Sequence, residues 1–325
     1  MRLRRLAACA AAGLAASLAI ANGASAQAFP TRAVRYIMPL PPGGETDIFG
    51  RVLAKHLSDA WSQPVVVENR PGGGTTIATE IAAKAPPDGY VFMHAITPFG
   101  INPTLYPKLS YDTLKDFACI TQIGNIYGVL LAHPSFPVKS VAELVKLAKA
   151  RPGEIAYATG GSGTMNHITA EALRAAAGIN IVHVPYKGTS LAVHDVLPGR
   201  VPLLATILVE ALPYIQSGRL RVVATTNPKR APSLPDVPTV GETLPAYQSG
   251  NGFWAIVTRA GTPAAVLNKL SADIVKTLQV PDVRTRLAAA DVEIVGNKPG
   301  ECDVFLREQV AAWGKIVKIS GARVD

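Results

Sequence analysis

The sequence is poor in the groups from which metal and catalytic centres are built. It holds three cysteines and six histidines, with no Cys-x-x-Cys and no His-Glu-x-x-His, so no metal is expected. None of the glycine runs at Gly43, Gly72 and Gly160 is followed by the lysine of a Walker loop, which excludes that kind of nucleotide site. The dinucleotide fingerprint fails as well, because neither GGSGTMN nor GGGTTIA has its third glycine in register. No cofactor is expected. Basic residues are scattered, without a stripe interleaved by aromatics, and nucleic acid is therefore not an expected partner.

What is present begins with an export signal. Arg2, Arg4 and Arg5 precede an apolar run from Leu6 to Ile20, and Ala24-Ser25-Ala26 supplies small residues for cleavage before Gln27. The run is short and alanine-rich, which suits a leader over residues 1–26 better than a membrane anchor. The expected location is the periplasm. With 32 Lys+Arg against 23 Asp+Glu the chain carries +9, and loss of the three leader arginines leaves +6, a mild field that suits small anionic ligands. Cys119 and Cys302 remain; a single pair so far apart in sequence is not a disulfide framework, and they read as two separate buried thiols, although export permits a bond.

From Val34 strand-like runs (VRYIMPL, PVVVEN, YVFMHA) alternate with helical runs (DIFGRVLAKHLSDAW, TTIATEIAAKA). This is the pattern of β-α-β units in an α/β fold with a mainly parallel sheet. After DFACITQIGNIYGVLLAHP the series restarts with SVAELVKLAKARPG, EIAYATG and INIVHVPY, so two domains are expected. The proline-rich NPKRAPSLPDVPTVGETLPAY reads as a structureless hinge or wrap-around segment. In the first helical run His56 falls at the edge of the apolar face and reads as a boundary residue.

Two turns carry the functional signal. YATGGSGTMNH places glycines, Ser162, Thr164 and Asn166 between a strand and a helix, and PLPPGGETDIFG does the same in the first half. Such a turn aims unpaired N–H groups and the helix dipole at whatever lies in front of it, which suits an anion. Ser162 and Thr164 are also ordinary helix caps. A nucleophile elbow at Ser162 lacks its final glycine, and no histidine follows Asp195 to complete the serine, acid, histidine order. An exported serine hydrolase using Ser162 is therefore the lesser alternative to a binding protein without catalysis.

Longer stretches resemble a known family. MPLPPGGETDIFGRVLAKHL, QPVVVENRPGGGTTIATEIAAKAPPDGY, INPTLYPKLSYD, VHVPYKG, PSLPDVPTV and GFWAIVTRAGTP look like the Bug-type extracytoplasmic receptors of tripartite tricarboxylate transporters. The resemblance implies a two-domain type II periplasmic binding protein, a Venus flytrap with crossover strands, that closes on a small carboxylate; a monomer is expected. It also implies two integral membrane partner subunits; a ligand sensor docking on a signalling partner is the other reading. The expected division is 27–123 and 226–325 for the first domain and 124–225 for the second, hinged near 120–128 and 224–230.

Carried over by position, the family's ligand loops fall on Pro41, Gly43, Gly44, Thr46 and Asp47, on Thr97 and Phe99, on Gly161, Ser162, Thr164 and Asn166, and on Ala205 and Thr206. The chain departs from the family at Glu45, where relatives often have proline, at Met165-Asn166, where they have a serine pair, and at Thr206, where an aspartate is common. Loss of that aspartate removes a partner for a ligand ammonium, so di- or tricarboxylates or aromatic acids are expected rather than amino acids.

Overall fold

The computed structural model describes residues 29–324; the leader and its cleavage point lie outside them. The first half follows the expected alternation through β1 (Val34–Met38), α1 (Glu45–Trp61), β2 (Val65–Asn69), α2 (Thr76–Ala83), β3 (Val91–Ile96), α3 (Pro98–Leu105) and β4 (Phe117–Ile126). A second series comprises β5 (Gly128–Ala132), α4 (Val141–Ala150), β6 (Ala156–Thr159), α5 (Met165–Ala177), β7 (Val182–Pro185), α6 (Thr189–Val196), β8 (Leu203–Ile207), α7 (Leu208–Gln216) and β9 (Arg221–Thr225). The chain returns through α8 (Val240–Thr243), β10 (Gly252–Arg259), α9 (Ala264–Leu278), α10 (Pro281–Ala289), β11 (Glu293–Ile294) and α11 (Pro299–Ser320).

The strands form two sheets, ordered β11-β4-β10-β3-β1-β2 and β7-β6-β8-β5-β9. Each has a parallel part, β3-β1-β2 and β7-β6-β8. Each is completed by antiparallel strands: β10 lies against β3 and β4, β11 against β4, and β5 against β8 and β9. The sheets are thus mixed rather than mainly parallel, the first because the returning strand β10 is inserted between β3 and β4 and the second because β5 lies antiparallel between β8 and β9. Local periodicity carries no information about that insertion.

Helix α1 illustrates how the sequence sets the packing. Phe49, Leu53, Leu57 and Trp61 recur every fourth residue, and all are buried in the core under the first sheet. Gly50 lets the helix lie close to β1, since a Cβ there would collide with Met38 Cε. His56 sits at the edge of this face as expected, its Nε2 2.9 Å from Asp282 Oδ2.

Strand β4 stays in the first sheet to Ile126 and β5 begins in the second at Gly128, so the first crossing falls at Tyr127 rather than at 123/124. The proline-rich connector is not structureless. Thr225 bridges Thr239, which opens α8 with a capping box to Glu242. Ala231 and Val240 are buried in the cores of the second sheet. Residues from 226 to about 250, expected in the first domain, therefore wrap the second sheet before β10 rejoins the first. Helix α11 joins the two bodies: Cys302 and Leu306 pack in a core of the first sheet, and Trp313, Ile316 and Val317 pack with residues of the second.

Cys119 and Cys302 are not separate thiols. They form a disulfide with Cα atoms 5.6 Å apart, tying β4 to the first turn of α11. Sequence separation hid a pairing that the fold imposes by laying α11 across the first sheet.

Candidate functional site

In open α/β sheets ligands bind beyond the carboxyl ends of the parallel strands. Both glycine turns lie at such ends, after β1 and after β6. The turn after β1 is held by Asp47, which is nearly fully buried. Its Oδ2 accepts from Gly43 N and Arg51 Nε, each at 2.9 Å, and its Oδ1 accepts from Asn69 Nδ2 at 2.8 Å. The same Asn69 amide donates to Leu40 O at 2.9 Å, and Arg51 donates to Asn69 Oδ1 at 2.9 Å. Burial alone would raise the Asp47 pKa, but hydrogen bonds from Arg51, the Gly43 amide and Asn69 outweigh it, and the carboxyl is held below its ordinary value.

Asp47 is thus a loop anchor whose oxygens are already occupied, and Gly43 has spent its N–H on it. Gly43 adopts φ +90°, which glycine allows at no steric cost. The amides of Gly44, Glu45 and Thr46 have no acceptor among the described residues; they are the orphan donors of a helix start. A Cβ added at Gly44 would meet nothing within 4 Å, so this edge is open to a ligand. Pro41, which has no N–H to offer, is exposed beside it.

The second turn divides its donors in the same way. Gly161 N donates to Thr159 Oγ1 at 3.2 Å, and Gly163 N donates to His167 Nδ1 at 3.2 Å. Thr164 is the N-cap of α5: its hydroxyl donates to Gly161 O at 2.8 Å and accepts from His167 N at 3.3 Å. The amides of Ser162, Thr164, Met165 and Asn166 have no acceptor among the described residues. Ser162 is exposed, and its side chain makes no hydrogen bond to a histidine; His183 Nε2 instead lies 2.7 Å from Thr159 Oγ1. The Asn166 side chain makes no hydrogen bond among the described residues, and its Oδ1 lies 3.4 Å from where a Gly128 Cβ would be.

The remaining carried-over residues separate. Phe99 is a core residue, 2% exposed and edge to face with Phe117 at 5.1 Å; its ring is spent on the first sheet's core and is withdrawn as a pocket wall. Thr97 is buried, and its hydroxyl accepts Phe253 N at 3.0 Å, clamping the start of α3 to β10. Ala205 is buried in the second core.

Thr206 is at the cleft end of β8, and a carboxylate stands beside it from one helical turn later. Its hydroxyl donates to Glu210 Oε2 at 2.7 Å and lies 3.1 Å from Thr189 Oγ1. The ground for disfavouring a ligand ammonium, the absence of a carboxylate at this wall, is therefore removed. Glu210 and Thr189 have no motif of their own; only the topology brings them to the second glycine turn. Across the cleft, Glu45 opens α1 with its Oε1 3.5 Å from Arg286 Nε on α10, an arginine no sequence pattern assigns to the site.

The two halves meet closely around this point. Ile207 and Val209 pack against the first sheet's core, and a Cβ on Gly163 would lie 3.1 Å from Leu105 Cδ2. A separate hollow of about 500 Å³, lined by Pro228, Thr239, Glu242 and Tyr247, opens on the connector, away from the strand ends. Glu242 there is already paired with Arg230.

Proteins similar to this chain share its family and its fold. Residues 49–322 match the tripartite tricarboxylate transporter family receptor, TctC. BugT of Bordetella pertussis is 33% identical over 311 residues, covering 95% of each chain. Among solved structures, R. palustris Rpa4515 with adipate superposes with TM-score 0.83 at 31% identity over 91% of this chain and 100% of that one. The periplasmic binding protein BugD superposes with TM-score 0.81 at 30% identity, over 91% and 99%. MatC of Rhodopseudomonas palustris, with bound malate, has TM-score 0.81 and 28% identity, over 89% and 100%. With a match spanning most of its length and relatives this similar end to end, the chain belongs to the tripartite tricarboxylate transporter receptor family, as a Bug-type solute receptor.

Proposed function

We propose that this protein is exported, captures a small carboxylate between its two sheets, and delivers it to two integral membrane subunits of a tripartite tricarboxylate transporter without itself catalysing a reaction. The observation that carries the reading is the pair of helix openings at Gly44–Thr46 and Ser162–Asn166, each with unspent backbone N–H groups at the carboxyl end of parallel strands. The adipate and malate held by two relatives fit a site of this kind. The Arg2, Arg4, Arg5 leader with cleavage before Gln27 supports a periplasmic location.

A thermal-shift screen of mono-, di- and tricarboxylates, aromatic acids and amino acids tests the reading. A ligand at about a hundred times its dissociation constant stabilises the fold by roughly 2.7 kcal/mol. Absence of any shift, together with ester turnover that disappears in Ser162→Ala, would replace the receptor with a hydrolase. Neighbouring genes for one large and one small membrane subunit separate transport from sensing.

A further inference from the structure

Glu210 is the third residue of α7, the place where a glutamate commonly folds back onto the N-cap amide. It does not do so here. Its Oε2 takes the Thr206 hydroxyl at 2.7 Å. Thr206 has one hydroxyl proton, so in the 3.1 Å contact with Thr189 Oγ1 the donor is Thr189. The two protons run in one direction, Thr189 to Thr206 to Glu210, and end on an oxygen that acts as acceptor.

The arrangement lies on the ligand side. A Cβ at Gly160, in the second anion turn, would be 3.0 Å from Thr189 Oγ1, so the hydroxyl relay borders the turn whose amides are free. Glu210 makes no ion pair among the described residues, whereas Glu45 across the cleft has Arg286. Burial pushes the Glu210 pKa up, the nearby Thr189 and Thr206 hydroxyls oppose the rise, and the charge of Glu45 adds to it. An acid aligned as an acceptor, part-buried and lacking a cation is a site for a positively charged donor.

We propose that Glu210 binds the ammonium group of a ligand whose carboxylate is held by the two anion turns, so that the receptor selects amino-acid-like zwitterions over the same acids without the amino group. This assignment rests on the carboxylate-receptor reading and specifies its ligand class. Thr189 and Thr206 act as positioning residues, fixing the carboxylate by way of their hydroxyls.

The test is calorimetric titration of the mature chain with succinate, malate and aspartate, and with glutarate and glutamate. In at least one series the amino member is expected to bind at least tenfold more tightly than its desamino partner. Glu210→Gln keeps an acceptor for Thr206 and removes the charge; it is expected to melt as the parent does and to erase that preference while retaining the desamino acid. Equal or tighter binding of succinate and glutarate by the parent overturns the assignment, as does a preference that survives in Glu210→Gln. Malate binding as tightly as aspartate overturns the requirement for a cation. If the parent binds none of the five, this assignment is overturned, and the carboxylate reading is decided separately by the wider screen of tricarboxylates and aromatic acids.

Discussion

His167 and His183 stack face to face, with ring centroids 4.2 Å apart and planes 16° apart, and His183 also stacks on Tyr157 at 5.0 Å. The pair supports the second glycine turn through the Gly163 N–H bond to His167 Nδ1, a bond that requires this nitrogen to be unprotonated. Burial holds the His167 pKa below its ordinary value against the opposing charge of Glu171. Burial, with the neighbouring His167 adding, pushes His183 down to about 4.

Stability should therefore decline in acid. As pH falls through about 6.5, the unfolded histidines take up protons that the folded ones refuse. The contribution of His183 is complete above that pH and is lost progressively toward about 4. His94, fully buried with its Nδ1 2.7 Å from Tyr36 OH, extends the decline toward about 3. Urea unfolding at pH 7, 5.5 and 4 should show the loss, and His183→Gln should flatten it. A stability unchanged between pH 7 and 4 would show that the pair does not resist protonation.

Asp47 should matter to ligand binding without touching ligand. Asp47→Ala frees the Gly43 amide and removes one acceptor each from Arg51 and Asn69, a loss of hydrogen bonds to a charged group at about 1.5–3 kcal/mol each before relaxation. We expect lower stability and at least tenfold weaker ligand binding. Retained affinity in a destabilised variant would mean that the turn after β1 does not form part of the site.

The Cys119–Cys302 disulfide closes a loop with a sequence separation of 183. Reduction, or the double change to alanine, should cost about 2–5 kcal/mol of stability. Because the bond ties β4 to α11 and lies in the first sheet's core, ligand affinity at low temperature should be nearly unaffected; a large loss would tie the bond to the cleft.

Closure should depend on small residues at the crossings. Met165 is buried between them: a Cβ on Gly252 would come within 2.6 Å of its Sδ, and one on Gly128 within 3.0 Å of its Cε. Small-angle scattering should show a smaller radius of gyration with ligand. Gly252→Ala should weaken binding and diminish that change, and an equal compaction in the variant would place the hinge elsewhere.

The sequence is informative where structure is local. Period-four apolar residues in α1 and the glycine turns before α1 and α5 were readable because each is a short-range pattern. The insertion of β10 between β3 and β4, the docking of α11 across both cores and the disulfide that follows from it were not, since each joins residues far apart in the chain. The same holds within the site. Thr206 was legible as a missing acid, but Glu210 reaches it through the geometry of a strand passing into a helix. Phe99 has the same local context as a pocket residue and turns instead toward Phe117.

The role of backbone donors can be separated from helix capping at Gly44. It is the N-cap of α1 and has ordinary φ −78°, no side-chain cap, and open space where a Cβ would be. Aspartate and asparagine are both favourable N-cap residues, so Gly44→Asp and Gly44→Asn should melt at or slightly above the parent temperature. They should part company in binding. Asparagine adds the cap without charge and should reduce affinity modestly, whereas aspartate places a like charge where the ligand carboxylate approaches and should cost at least tenfold. Ser162→Ala should change little, because the donors at that turn are main-chain amides. The best-binding acid of the screen should lose about 2 kcal/mol or more when replaced by its amide, the scale of a hydrogen bond to a charged group. Equal affinity for acid and amide, or a Gly44→Asp protein that binds like the asparagine variant, would reduce both glycine turns to capped helix starts.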